Sequence, residues 1–109
     1  MVYQSSSPAH VIRGGRKESA MLHMVIVKHS PESCPGRPGN EEIVPCLNKM
    51  EELLTQREIK TIGRWADPPG HVNYVVLDAP SAHAVLEVFM ESGLSAHTST
   101  EIHAVMSMD

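Results

Sequence analysis

The chain has 109 residues, a net charge of −4, 41% apolar residues and only 4% aromatics, which suits one domain with an aliphatic, Met-containing core and leaves no room for two. Arg13, Arg16 and Lys17 against Glu18 give the first twenty residues a balance of +2 and the remainder −6; an acidic folded part with so few aromatic rings excludes a nucleic-acid surface. The cysteines, Cys34 and Cys46, make no disulfide framework, no secretory or membrane-spanning apolar run accompanies them, and the expected setting is a reduced, cytoplasmic one with free thiols.

Residues 1–20, with Ser5-Ser6-Ser7-Pro8 and Gly14-Gly15-Arg16-Lys17, lack apolar periodicity and read as a disordered tail. The domain spans residues 21–109. Leu22 to Lys28 is short and β-branched, a strand. Its alternation separates Leu22, Met24 and Ile26 from His23, Val25, Val27 and His29. Ser30 to Gly39 is dense in Pro and Gly, a loop longer than a minimal connection. Asn40 reads as a helix N-cap before Glu41 and Glu42. The helix carries Ile43, Cys46, Leu47, Met50, Leu53 and Leu54 on one stripe, with Pro45 confined to its first turn. Cys46 there reads as a small core residue.

Ile59 to Trp65 and Val72 to Leu77 flank a Pro68-Pro69-Gly70 turn and make a hairpin. Ser81 caps a second helix bearing Ala82, Val85, Leu86 and Phe89, which Gly93 ends. A last alternating strand runs from Glu101 to Met108, with Ile102 on the face that packs against the helices.

This order, β-α-β-β-α-β, is that of an α+β ferredoxin-like fold: a four-stranded antiparallel sheet, order 4-1-3-2, with two helices on one face. The other face is open, and a homodimer would cover it. If Leu22, Met24, Ile26 and Ile102 face the helices, then His23, Val25, His29 and His103 face away. On that reading, His23 and His103 belong to the dimer interface.

Connectivity gathers the Pro-rich loop, the hairpin turn and the approach to the last strand at one end of the sheet. They carry His29, Glu32, Cys34, Trp65, Asp67, His71 and His97. Imidazole and thiolate suit zinc, copper or iron, so His29, Cys34 and His71 form one candidate metal set. Alternatively His29 acts as an acid/base or ligand-binding group in a small-molecule cavity, with Cys34 and His71 beside it and Trp65 and Tyr74 as the wall. The bland alternative is a set of solvated loop residues, since no CxxC, HxH or HExxH spacing is present.

The run Met24-Val25-Ile26-Val27-Lys28-His29-Ser30-Pro31-Glu32-Ser33-Cys34-Pro35, with Ile62-Gly63-Arg64-Trp65 and Val75-Val76-Leu77-Asp78-Ala79-Pro80-Ser81-Ala82, resembles the DUF3303-like group of the dimeric α+β barrel superfamily. His29, Glu32, Cys34 and Pro35 carry the resemblance, which covers about residues 21–109. It implies a homodimer whose sheets join into a barrel-like cavity. The superfamily holds cofactor-free monooxygenases, muconolactone isomerase-like enzymes, stress-response proteins and haem-binding relatives. No residue set here matches the catalytic pattern of any one of them, so three functions stay open: a small-molecule-binding dimer or enzyme, a metal binder or sensor, and a structural or regulatory dimer.

Overall fold

The computed structural model describes residues 10–13, 16–19 and 21–108. In chain order the elements are β1 (His10–Arg13), β2 (Arg16–Ser19), β3 (Leu22–Lys28), α1 (Ile43–Gln56), β4 (Lys60–Asp67), β5 (Val72–Asp78), α2 (Ala82–Glu91) and β6 (Ser99–Val105). Single 3-10 turns occupy Pro31–Ser33 and Leu94–Ala96. The expectation of a disordered stretch over 1–20 falls largely outside the described residues. Within it, β1 and β2 pair antiparallel as a separate ribbon.

The main sheet has order β4-β5-β3-β6 and is antiparallel throughout. Counting only the domain's own strands, that is the expected 4-1-3-2. Both helices pack on one face: Val25, Val27 and Leu77 of the sheet share a core with Leu53 and Leu54 of α1 and Val85, Val88 and Phe89 of α2. The architecture is ferredoxin-like α+β.

Local chemistry sets the element ends. Ser81 Oγ accepts the Ala84 N–H at 3.0 Å and starts α2. Gly93, at φ +88°, ends the α2 region in the left-handed conformation that glycine adopts without penalty. Pro45 lies in the first turn of α1. Asn40, however, is not its cap. The helix begins at Ile43 with Glu42 in front of it and no side-chain capping bond. The expected stripe is also narrower: Ile43, Leu53 and Leu54 are buried, Cys46 and Met50 are partly buried against the core, and Leu47 is 37% exposed.

One expectation about strand parity is reversed. Val25, paired with both Val75 and Ile102, is fully buried beneath the helices, and Val27 and His29 follow it on that side. Met24 and Ile26 therefore face outward, and His103, the register partner of Met24, faces outward as expected. Both faces of β3 are apolar, so alternation alone does not say which is the core. The compact valines sit under the helices, where Phe89 and Val85 already fill the space, and the longer Met24 and Ile26 remain half-buried outside. His23, assigned above to an interface, is 4% exposed within the subunit and donates from Nδ1 to the Met21 carbonyl at 3.0 Å. Among the described residues, no helix is long and apolar enough to cross a membrane.

Candidate metal centre

His29 is the first residue after β3. Its N–H donates to the His71 carbonyl at 3.1 Å, which extends the β3–β5 pairing by one step. His71 closes the turn between β4 and β5. Its N–H reaches the Pro68 carbonyl at 3.2 Å, and Asp67 Oδ1 accepts the Gly70 N–H at 3.1 Å. A Cβ on residue 70 would sit 2.4 Å from Asp67 Oδ2, so a side chain there would displace the Asp67 carboxylate from its bond to this N–H. His71 itself is held at φ +54°, left-handed and uncommon for a residue with a side chain.

That backbone brings His71 onto His29. Nδ1 of His71 lies 3.2 Å from Nε2 of His29, with the rings edge-on at 80° and 5.1 Å between centroids. Cys34 comes from the other side, at the end of the Pro31–Ser33 turn that Ser30 Oγ caps by accepting the Ser33 N–H at 3.2 Å. Asn40 fixes this loop: its Nδ2 donates to the Glu32 and Cys34 carbonyls at 2.7 and 2.9 Å. The asparagine expected to start α1 instead braces the segment that presents Cys34. One imidazole nitrogen of each histidine and the Cys34 sulfur all lie within 4.8 Å of one another, at partly buried positions.

The chemistry of the cluster follows from its crowding. Burial first, and then repulsion from His71, hold the His29 imidazole below its ordinary pKa of 6.5. A neutral imidazole keeps a lone pair for coordination. Two nitrogens each about 2.0–2.1 Å from a tetrahedral zinc would be about 3.3 Å apart, so the histidine pair already stands close to the edge such a site needs. Without a cation, one imidazole N–H can hydrogen-bond to the other ring at this spacing.

Between α1 and the sheet lies a cavity of about 370 Å³. Ile43, Leu47, Met50 and Leu54 line it from α1, Val27, Val75 and Leu77 from the sheet, and Phe89 and Leu94 from the far side; His29, Asn73, Thr98 and Arg64 supply its polar groups. His29 thus belongs to both the cluster and the cavity wall. Trp65 and Tyr74 border the cavity, but they are register partners on strands whose adjacent residues Arg64 and Val75 point to the helices. Alternation turns their side chains to the outer face, where the Trp65 ring lies against Gly63. A second, shallow depression joins His29 to Lys28, Ser99 and His97.

Of the residues expected at this end of the sheet, His29, Cys34 and His71 converge. Glu32, Asp67 and His97 do not join them: Glu32 contributes a carbonyl to Asn40, Asp67 serves the turn, and His97 lines the depression. The sequence reading missed Asn40 as the brace of the Cys34 loop and Asn73 as a cavity group. An amide eight residues after Glu32 and six after Cys34 has no spacing signature for such a brace.

No family model matches the chain, and no curated protein matches it. Among solved structures, it is similar to SCO4226 from Streptomyces coelicolor A3(2), at 24% identity and TM-score 0.52, over 76% of this chain and 94% of that one. A prephenate dehydratase from Staphylococcus aureus subsp. aureus Mu50 aligns at 13% identity and TM-score 0.49, over 77% of this chain and 29% of that one. The first likeness supports the α+β fold.

Proposed function

We propose that the protein binds a first-row transition cation through His29, Cys34 and His71. The supporting observation is their convergence: three donor atoms from three separate loops and strand ends lie within 4.8 Å. Two imidazoles and a thiolate suit a borderline-soft cation and leave a further coordination position for water or another ligand. Metal analysis of the purified chain, and titration with Zn²⁺, Ni²⁺, Cu²⁺ and Co²⁺, test this directly. Co²⁺ should develop a thiolate charge-transfer band that Cys34→Ser removes and His29→Ala weakens. Unchanged metal occupancy in both variants would overturn the proposal.

The cavity supports a second reading, small-molecule binding between α1 and the sheet. Its volume of about 370 Å³ falls in the range of small-ligand pockets. In an enzyme of this kind, His29 would be the acid/base group, since it alone of the three cluster residues lines the cavity. We further propose that a second copy of the chain covers the outer sheet face, where Met24, Ile26, Trp65 and Tyr74 are half-buried in the single subunit. Sedimentation of the wild type and of Ile26→Asp tests this. A wild-type monomer at all concentrations would overturn it.

A further inference from the structure

The cavity is polar at one end and apolar at the other, and that gradient bears on what it holds. Lys28 pairs with Val72 and with Ser99, so His29, Asn73 and Thr98 gather where β3 ends. Leu77 pairs with His23, at the far end of the same strand. With Leu54, near the C-terminal end of α1, it lines the far part of the cavity. The long axis therefore runs from an imidazole, an amide and a hydroxyl to an aliphatic floor.

Among the described residues, the polar end carries no uncompensated fixed charge. Arg64 is ion-paired with Glu51 across from α1. Thr98 donates its hydroxyl to the Leu94 carbonyl at 2.8 Å and keeps acceptor capacity. The Asn73 side-chain amide makes no hydrogen bond among the described residues and can donate and accept. The volume, about 370 Å³, is more than twice the roughly 150 Å³ of an apolar cavity that takes benzene.

We propose that the cavity takes a neutral, largely apolar molecule of about two-ring size carrying one hydroxyl or carbonyl, seated with that group against Asn73 and His29. This rests on the small-molecule reading and does not require the metal. Charged ligands are disfavoured because no free cation among the described residues meets them and the floor is apolar. A purely apolar ligand would leave the Asn73 amide cut off from water without a partner.

The test compares 2-naphthol, naphthalene and 2-naphthoate by naphthyl fluorescence and calorimetry on the full, chelator-treated chain at neutral pH. 2-Naphthol should bind about tenfold more tightly than naphthalene, the worth of roughly one net hydrogen bond, and more tightly than 2-naphthoate. Asn73→Leu should abolish the preference and keep naphthalene binding. Leu47→Trp, at a 37% exposed position on the cavity rim, should block all three, whereas Val44→Trp on the exposed side of α1 should not. Thermal melts of each variant confirm folding. Equal affinity for naphthol and naphthalene would overturn the polar seat, and tightest binding of naphthoate would overturn the neutral one; both leave the cavity reading standing. No binding by wild type, or binding undiminished in Leu47→Trp, would overturn the cavity reading itself.

Discussion

Replacing His71 by glycine separates the metal proposal from a merely structural role for the turn. The residue sits at φ +54°, where a side chain costs about 1–2 kcal/mol and glycine costs nothing. Glycine in turn loses more conformational freedom on folding, by about 0.5–1 kcal/mol. These terms oppose each other, and loss of the hydrogen bond between the two imidazoles, about 0.5–1.5 kcal/mol, offsets the remaining gain, so the metal-free His71→Gly protein should stay within about 1 kcal/mol of wild type. For a domain of this size that is a change of about 4–8 °C or less in Tm. Metal acts on another scale. A cation present at a hundred times its Kd adds about 2.7 kcal/mol to the native state, or roughly 11–22 °C. Melts followed by circular dichroism, with chelator and with added Zn²⁺ or Ni²⁺, should show a large metal-dependent rise in wild type and almost none in His71→Gly, with chelated baselines that nearly coincide. A full metal-dependent rise in His71→Gly would refute the ligand role. A collapse of its chelated baseline would refute the assignment of the strain.

Three other expectations follow from the geometry. His29 titrates below its ordinary value of 6.5 because of burial and the neighbouring His71; between those two pKa values the unfolded chain binds the extra proton, so metal-free stability is complete above the ordinary value and is lost as pH falls through the folded one. Urea midpoints measured down through this window should fall for wild type and fall less for His29→Ala, with Cys34 and His71 the titratable neighbours to control for; identical slopes would count against the shift. Gly63→Ala places a methyl 2.6 Å from the Trp65 ring, so the half-buried indole must move, at the low end of the about 1–3 kcal/mol of core overpacking or below it, and the emission of the single tryptophan should shift to the red; unchanged emission would show that the ring does not rest there. Ser81→Ala removes the oxygen that receives the Ala84 N–H and should lower stability by about 1 kcal/mol, an effect that Ser81→Asp should largely avoid.

The order of the elements and several of their ends were legible because they depend on neighbours in the chain, although the last strand, expected over Glu101 to Met108, runs Ser99–Val105. The period of Leu22–Lys28, the Pro-Pro-Gly turn, the Ser81 cap and the Gly93 stop each act within a few residues, and connectivity then sent His29, Cys34 and His71 to the same end of the sheet. Proximity along the chain could not decide the rest. β3 is apolar on both sides, so only packing against α2 determined that Val25, Val27 and His29 face the helices while Met24 and Ile26 face outward. The same choice put His29 into the cavity wall, sent the Trp65 and Tyr74 side chains away from it, and buried His23 inside the subunit. Asn40 suits a helix start by local preference, yet the carbonyls it satisfies lie six and eight residues back. Local propensity set which residues could meet at this end of the sheet; the 3.2 Å approach of the two imidazoles depends on a left-handed turn and a braced loop closing over it, and only the folded chain brings those together.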